Sequence, residues 1–231
     1  MLAQAGRRLG SLLFGGSCFL CRGAAHELLC ARCDADLPRL GAELCPKCAL
    51  ASPGGAICGR CLARPPAFDA TLAALAYRFP SDVLVQALKF RSELALAALF
   101  GNLIAQRVAA SERVDLLVPV PLFARRLKER GFNQAVEIAR NVARLTVTRL
   151  DSGICERILD TPPQFGLPLE ERERNVRGAF RCAGLLAGAR IAVVDDVMTT
   201  GSTLQEVALT LKRAGATRVV NWVVARTPPP A

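Results

Sequence analysis

Two adjacent carboxylates and a run of small hydroxyl side chains stand together near the end of the chain. Asp195 and Asp196 follow an apolar run, Ile191–Val194, and precede Thr-Thr-Gly-Ser-Thr at positions 199–203. Carboxylates only accept hydrogen bonds, which suits them to the hydroxyl groups of a sugar. A hydroxyl-rich turn that leads into a helix offers backbone N–H groups and a positive helix end to a phosphate. The pattern therefore predicts a site for a sugar phosphate.

The residues around this turn predict a strand–helix–strand unit of a parallel sheet. A helix beginning near Ser202 carries apolar residues at helical spacing, namely Leu204, Val207, Ala208, Leu211 and Ala214. Gly215 is placed to end that helix, and the Val-rich run Arg218–Ala225 predicts the next strand. Ligands of such sheets bind outside the carboxyl ends of the strands, where the turn lies. The spacing matches neither the GxxxxGK[ST] loop nor the GxGxxG dinucleotide motif.

Eight of the ten cysteines fall into four Cys-x-x-Cys pairs, which are Cys18/Cys21, Cys30/Cys33, Cys45/Cys48 and Cys58/Cys61. Such a pair points both sulfurs at one ion, and two pairs complete a four-thiolate zinc site. The alternative is a disulfide-stapled module, which the uniform pairs and the lack of a secretory signal disfavour. We predict two structural zinc ions. Sequential pairing is the simpler arrangement, and interleaved pairing stays open. The two unpaired residues, Cys155 and Cys182, are predicted to be small hydrophobic side chains.

The middle of the chain carries a short apolar run and then a basic segment. The residues 115–122 predict a buried strand that ends at two prolines. Four cations follow at a predicted strand-to-helix connection, and they are Arg125, Arg126, Lys128 and Arg130. This concentration of charge suits a polyphosphate, and the alternative is a solvated basic turn.

The residues 157–180 have little regular pattern. Loops of this length in compact domains are usually functional, often as lids. The lid candidates that would suit an anionic substrate are Gln164, Arg172, Arg174 and Asn175. The alternative is a disordered charged loop.

These features together resemble the ComF family, also described as amidophosphoribosyltransferase-like competence proteins. The matching motifs are the four cysteine pairs, VPVPL before RRLKERGFNQA, TPPQ with ERERNVRGAF, and VVDDVMTTGST. They span residues 18 to 205 in the family's order. One departure is Phe123, where the family usually carries His. The resemblance implies an α/β chain with a type I phosphoribosyltransferase fold, a parallel sheet flanked by helices, behind an N-terminal double zinc ribbon.

The same resemblance implies a site for 5-phosphoribosyl 1-diphosphate (PRPP) with Mg²⁺. In it, Asp195 and Asp196 hold the ribose 2′- and 3′-hydroxyls. The implied 5′-phosphate turn consists of Thr199, Thr200, Gly201, Ser202 and Thr203. The implied pyrophosphate loop consists of Pro119, Val120, Pro121 and Leu122, with Arg125 and Arg126 as its nearest cations. Lys89 is a further family-matching cation, and its alternative is a helix-surface lysine.

The activity is less sharply predicted than the ligand. One reading is a phosphoribosyltransferase that acts on an unidentified acceptor. The alternative is a non-catalytic accessory protein in DNA uptake or processing, binding single-stranded DNA or a partner protein. A third is a regulator that senses PRPP. Several purine enzymes of this superfamily carry an acid where this chain has Thr199, so a purine acceptor is not favoured.

The net charge and the length of the chain predict where anions bind and how the chain divides into domains. The net charge is +10, but the residues 18–61 contribute only +1, so phosphate attraction is expected on the larger domain. The expected division is a zinc ribbon at 15–64 and a phosphoribosyltransferase-like domain at 65–231. The residues 81–110 predict helix, expected as a hood beside the sheet. No apolar run reaches the length of a membrane span, and we expect a cytoplasmic location.

Overall fold

A computed structural model describes residues 16–109, 113–160 and 175–228 of the chain. Within these ranges, a cysteine-rich N-terminal part leads directly into a parallel sheet with helices on both faces. None of the helices in the described part of the chain is long and apolar enough to cross a membrane.

The N-terminal part consists of short elements placed between cysteines. They are β1 (Gly16–Ser17), β2 (Ala24–Ala25), α1 (Ala31–Ala35), a 3₁₀ turn (Pro53–Gly55) and α2 (Gly59–Ala63). The strands β1 and β2 pair antiparallel, and the two helices begin directly after Cys30 and Cys58. Elements this short bury little surface by themselves, so metal binding is the expected source of their stability.

The central sheet has four parallel strands. They are β3 (Ala70–Ala76), β4 (Leu116–Pro119), β7 (Arg190–Met198) and β8 (Arg218–Arg226), in the order β3–β8–β7–β4.

A separate antiparallel pair consists of β5 (Cys155–Arg157) and β6 (Phe180–Cys182), which bracket the segment predicted as a lid. Cys155 lies opposite Cys182 in that pair, and burial raises the pKa of the Cys155 thiol to about 12, as suits an unreactive apolar side chain.

Strand β7 is longer than the sequence predicted. The apolar run that predicts this strand ends at Val194, but the backbone stays paired with β8 as far as Met198. The reason is that β8 is itself nine residues long and offers a continuous partner. The two acids therefore lie within the second half of the strand, where the backbone is still paired with β8.

The helices are α3 (Ser81–Arg91), α4 (Ala95–Val108), α5 (Ala124–Arg130), α6 (Gln134–Thr146) and α7 (Ser202–Arg213). Helices α4 and α6 pack on each other and on one face of the sheet, and α7 packs on the other face. The expectation of a hood at 81–110 was wrong for α4, because its buried residues Leu96, Phe100 and Ile104 lie in the sheet's own core.

The basic segment after β4 is a helix rather than a connection. Its residues Ala-Arg-Arg-Leu-Lys-Glu-Arg are all good helix formers, and they make up α5. The helix ends at Gly131, whose φ of +79° is the left-handed conformation typical of a helix end.

Alternate residues of β7 face two separate hydrophobic clusters. Ala192 belongs to the cluster of α4 and α6, and Val193 belongs to the cluster of α7. The cysteines divide in the same way, since Cys18 packs in the first cluster and Cys48 in the second. The zinc ribbon and the sheet therefore share their cores, on both sides of the division predicted at residue 64.

Candidate functional site

The eight paired cysteines form two sulfur clusters in sequential order. The first consists of Cys18, Cys21, Cys30 and Cys33, and the second of Cys45, Cys48, Cys58 and Cys61. The sulfurs of Cys21 and Cys30 are 3.8 Å apart, and those of Cys48 and Cys58 are 3.6 Å apart. Zinc–sulfur bonds of about 2.3 Å in a tetrahedron place the sulfurs about 3.8 Å from each other. Both clusters therefore fit a four-thiolate structural zinc ion.

Each cluster contains a tight turn at its first Cys-x-x-Cys pair. The N–H of Arg22 donates to the carbonyl of Cys18 at 2.9 Å, and the N–H of Ala49 donates to that of Cys45 at 2.9 Å. Arg22 and Ala49 have positive φ values of 64° and 55°. This uncommon conformation for non-glycine residues brings the two sulfurs of each pair to the same side of the turn.

At the carboxyl edge of the sheet, Asp196 forms a largely buried ion pair. Its Oδ1 lies 3.0 Å from Nζ of Lys89, which comes from the last turn of α3. Burial acts to lower the pKa of Lys89, but the charges of Asp196 and Asp195 outweigh it and raise the pKa. The other carboxylate oxygen of Asp196, Oδ2, is buried and has no hydrogen-bond partner among the described residues. Such an oxygen is available to a ligand or a metal ion.

Asp195 lies beside this ion pair, and the nearby positive charges stabilise its carboxylate less strongly. One of its oxygens accepts the N–H of Asp196 at 2.9 Å. Burial, followed by the negative charge of Asp196, raises the pKa of Asp195 to about 8, against the opposing attraction of Lys89 and Arg157. A second negative charge at this edge is therefore unfavourable while no ligand or metal ion is bound.

The turn after β7, predicted to hold a phosphate, is short and closely packed. Gly201 has a φ of +89°, and a β carbon there would lie 2.8 Å from the terminal methyl of Met198. The hydroxyls of Thr200 and Ser202 are 2.8 Å apart, and the N–H of Ser202 donates to the Thr200 hydroxyl at 3.3 Å. The turn leads straight into the first turn of α7, so the positive end of that helix faces it.

The loop predicted to hold pyrophosphate runs alongside this edge. The N–H of Val120 donates to the carbonyl of Val194 at 2.9 Å, one residue before Asp195. Asn133 fixes the loop from the other side, because its amide donates to the Val120 carbonyl at 3.0 Å. The side-chain oxygen of Asn133 also accepts the N–H of Ala135 and so caps α6. Asn133 thus has a structural role in holding this loop.

The basic residues divide between the site and the surface. A cavity of about 320 Å³ is lined by Lys89, Phe90, Ser92, Arg126, Glu129 and Arg130. Arg125 instead forms ion pairs with Asp160 at 2.6 Å and with Glu129 at 2.5 Å. Of the two arginines chosen from the sequence, Arg126 lies in the cavity, and Arg125 is occupied by acids elsewhere. Lys128 is exposed.

Arg157 is a further cation near the site, and the sequence marked it only as the first residue of the irregular segment 157–180. Burial and the like charge of Arg126 lower the pKa of Arg157, while Asp160 and Asp195 act to raise it. Arg130 behaves similarly, since burial lowers its pKa and Asp196 opposes that shift. Both guanidinium groups are therefore near the acid pair. Nothing in the spacing of the sequence distinguishes Arg157 from the other arginines of its segment.

Three of the lid candidates, Gln164, Arg172 and Arg174, lie outside the described residues. The fourth, Asn175, is half-buried where the segment returns to the sheet. There the N–H of Gly178 donates to a carboxylate oxygen of Glu206 at 2.8 Å, so the returning chain is tied to α7.

A larger cleft of about 610 Å³ lies between the second cysteine cluster and the outer side of α7. Its walls include Cys61 from the cluster and Thr200 from the turn. The cleft is also lined by three exposed arginines, which are Arg60, Arg64 and Arg177. Anionic ligands would be attracted to this part of the surface.

Two four-cysteine clusters ahead of a parallel sheet, with an acid pair and a hydroxyl-rich turn at the sheet's carboxyl edge, define a class of α/β protein with an N-terminal metal module. The family model described as a double zinc ribbon domain matches residues 9–62. The DNA utilization protein YhgH of Salmonella typhimurium is 36% identical over 222 residues, which cover 92% of this chain and 97% of that protein. Competence protein F of Haemophilus influenzae is 30% identical over 227 residues, which cover 92% and 98%. The chain belongs to this ComF/YhgH family.

Solved structures with a similar fold are phosphoribosyltransferases. The glutamine PRPP amidotransferase of B. subtilis matches with a TM-score of 0.39 and 24% identity, over 55% of this chain and 25% of that one. A purine phosphoribosyltransferase from Pyrococcus horikoshii matches with a TM-score of 0.35 and 15% identity, over 58% and 87%. These similarities concern the fold alone. The sheet topology and the family match confirm the predicted parallel α/β sheet behind a double zinc ribbon.

Proposed function

We propose that the chain binds PRPP together with Mg²⁺ at the carboxyl edge of the sheet. The observation that carries this proposal is the buried and unpartnered Oδ2 of Asp196, beside Asp195 and within reach of Lys89. Carboxylate oxygens of this kind coordinate Mg²⁺ and accept hydrogen bonds from sugar hydroxyls. A buried acid pair without such a partner would be costly to keep charged.

Each part of the ligand has a matching group of residues. Asp195 and Asp196 hold the ribose hydroxyls, and the turn at 199–203 holds the 5′-phosphate with the positive end of α7. The pyrophosphate lies against the loop 119–122 and the cavity of Lys89, Arg126 and Arg130. A bound Mg²⁺ ion would neutralise part of the pyrophosphate charge. The four residues that carry positive charge toward this site, Arg157 included, come from three separate parts of the chain.

The activity that we propose for this arrangement of residues is phosphoribosyl transfer. Bond breaking at C1 of the ribose leaves positive charge on the sugar and negative charge on the departing pyrophosphate. The cations around the cavity stabilise that negative charge as it develops. The acceptor is unidentified, and Thr199 at the start of the turn does not favour a purine base. We place this activity in the cytoplasm, where four-thiolate zinc sites remain reduced.

Thermal unfolding of the zinc-loaded protein tests the proposal with three ligands. PRPP with Mg²⁺ should raise the melting temperature more than ribose 5-phosphate or pyrophosphate at the same concentration, because it engages both halves of the site at once. An equal shift with pyrophosphate alone would argue for a general polyphosphate site. No shift with any of the three ligands at about millimolar concentration would refute the proposal.

The cleft favours a second candidate function, which is a non-catalytic role in DNA uptake or processing. Arg60, Arg64 and Arg177 line it without an acidic side-chain partner in the part of the chain that the structure describes. The relatives named for DNA utilization and competence support this alternative. Single-stranded DNA would then bind through its phosphates, and its affinity would fall steeply with salt.

The two candidates are separated by a triple variant, in which the three arginines become glutamine. Loss of single-stranded DNA binding with PRPP binding retained would place DNA in the cleft. DNA binding that survives the triple variant but is lost in Asp196→Asn would instead place DNA at the sugar-phosphate edge. No salt-dependent DNA binding by the unaltered protein would remove the second candidate.

A further inference from the structure

Arg226, the last residue of β8, is a buried guanidinium group that connects two parts of the molecule. It is only 2% exposed. Its Nε donates to the carbonyl of Cys48 at 2.7 Å. Its Nη1 donates to the carbonyls of Met198 at 2.9 Å and Thr227 at 2.8 Å, and also to that of Thr199.

The connected parts are the second cysteine cluster and the start of the phosphate turn. Cys48 is one of the four sulfur ligands of that cluster, and Met198 and Thr199 are the residues that open the turn after Asp196. A guanidinium has a rigid, planar set of donors, so its partners are fixed relative to one another. The position of the Cys48 backbone and that of the turn are therefore held by the same group.

Two further contacts join the same parts. The side-chain oxygen of Gln205, in the first turn of α7, accepts the N–H of Ala67 at 2.7 Å. The ring of Phe68 lies against Gly201, and Phe68 packs in the same hydrophobic cluster as Cys48. The segment that follows the second cysteine cluster is thus packed directly on the turn.

The first cysteine cluster has no such connection among the described residues. Cys18 and its neighbours pack with α4 and α6, on the opposite face of the sheet. The chain therefore contains two similar metal sites, of which one is linked to the phosphate turn and the other is not.

We infer that the second zinc site is part of the ligand site, and that Arg226 is the positioning residue through which bound metal holds the phosphate turn in its binding conformation. Metal loss at this site frees the Cys48 carbonyl and releases one side of the Arg226 contact. The turn then loses its fixed shape, and its affinity for the 5′-phosphate falls. The affinity part of this inference depends on the proposed PRPP site, whereas the effect on the turn itself does not.

The first test compares matched cysteine variants of the two clusters, Cys58→Ser in the second and Cys21→Ser in the first. Metal analysis and PRPP titration are done on each. Each variant should lose zinc from its own site, but only Cys58→Ser should weaken PRPP binding, by about tenfold or more. Equal effects of the two variants, or no effect of Cys58→Ser despite loss of its zinc, would overturn the inference.

The second test reads the turn without ligand. Amide hydrogen exchange at residues 198–203 should become faster in Cys58→Ser and remain unchanged in Cys21→Ser. Arg226→Lys keeps the charge but cannot reach all four carbonyls, so it should retain both zinc ions and still show faster exchange in the turn. Unchanged exchange in Arg226→Lys and Cys58→Ser would overturn the inference. If the unaltered protein fails to bind PRPP while the exchange results hold, the proposed ligand is wrong and the coupling stands.

Discussion

The ammonium group of Lys89 lies 3.0 Å from the carboxylate of Asp196, and the two side chains are 23% and 4% exposed. They come from the end of α3 and the end of β7, so their contact joins the helical layer to the edge of the sheet. Because both charges are largely removed from water, the loss of either one leaves the other without compensation.

Replacing Lys89 with methionine should therefore destabilise the protein. We expect a loss of about 2 kcal/mol in the free energy of unfolding, measured by urea denaturation without ligand. Arg140→Met is the matched control, since Arg140 pairs with Glu137 on the exposed side of α6 and should cost under about 1 kcal/mol.

The Lys89→Met, Asp196→Asn double variant completes this comparison. It should recover much of the stability lost in Lys89→Met, because no buried charge is then left alone. A single Lys89→Met variant that is no less stable than Arg140→Met would contradict the importance given to this pair.

The raised pKa of Asp195 predicts how stability changes with pH. The folded protein keeps a proton on Asp195 up to about pH 8, whereas the unfolded chain releases it near the ordinary value of 3.8. Stability contributed by this proton is complete below the unfolded pKa and is lost as the pH rises through the folded pKa. The free energy of unfolding should fall with rising pH by up to about 1 kcal/mol per unit between about pH 5 and pH 8.

Asp195→Asn isolates this contribution. The variant should show a flatter dependence than the unaltered protein when urea denaturation is repeated across the same range of pH. Parallel curves for the two proteins would mean that Asp195 does not keep its proton in the folded state.

Gly201→Ala should damage both stability and ligand binding. Gly201 has a φ of +89°, and its new β carbon would meet the Met198 methyl at 2.8 Å, so either the buried Met198 side chain or the turn must shift. Gly188→Ala is the control, because Gly188 also has a positive φ of 76° but open space around it. Both should lose about 1 kcal/mol of stability from backbone strain, and only Gly201→Ala should weaken PRPP binding, by about tenfold. A similar loss of binding in both variants would argue against a role for the shape of the turn.

The cysteine clusters and the strand–turn–helix around the acid pair could be predicted from the sequence because they depend on local patterns. The spacing of the cysteine pairs predicted two four-sulfur clusters, with sequential pairing as the simpler arrangement. The apolar periodicity after Ser202 predicted α7, which ends at Arg213, two residues before Gly215. The acid pair and the turn follow each other in sequence, so their proximity in space required no knowledge of the fold.

The cations could not be ranked from the sequence because their partners are distant in the chain. Arg125 resembled a phosphate ligand until the fold brought Asp160 against it. The charge of Asp195 acts on Arg157 only because the fold brings these two distant parts of the chain near each other. Arg226 ends a Val-rich strand and gives no local signal, and its role depends on Cys48, which is far away in sequence.

The shared cores predict that residues 65–231 do not fold well without the ribbon. The N–H of Leu40 donates to the carbonyl of Ala74, and the N–H of Ala76 donates to that of Pro38, along the outer edge of β3. Removing the ribbon exposes this strand edge and part of both hydrophobic clusters, which favours aggregation. The fragment should give little soluble protein and a lower melting temperature than the whole chain. A soluble fragment with the stability of the whole chain would show that the two parts are independent domains.

Calorimetric titration of PRPP into the zinc-loaded protein, in buffer without chelator, is the most direct test of the proposed site. With Mg²⁺ present we predict saturable binding tighter than about 1 mM, which weakens by about tenfold without Mg²⁺ and is lost in Asp196→Asn. The same affinity in the unaltered protein and in Asp196→Asn, or no binding at that concentration, would contradict the assignment of PRPP to this edge of the sheet.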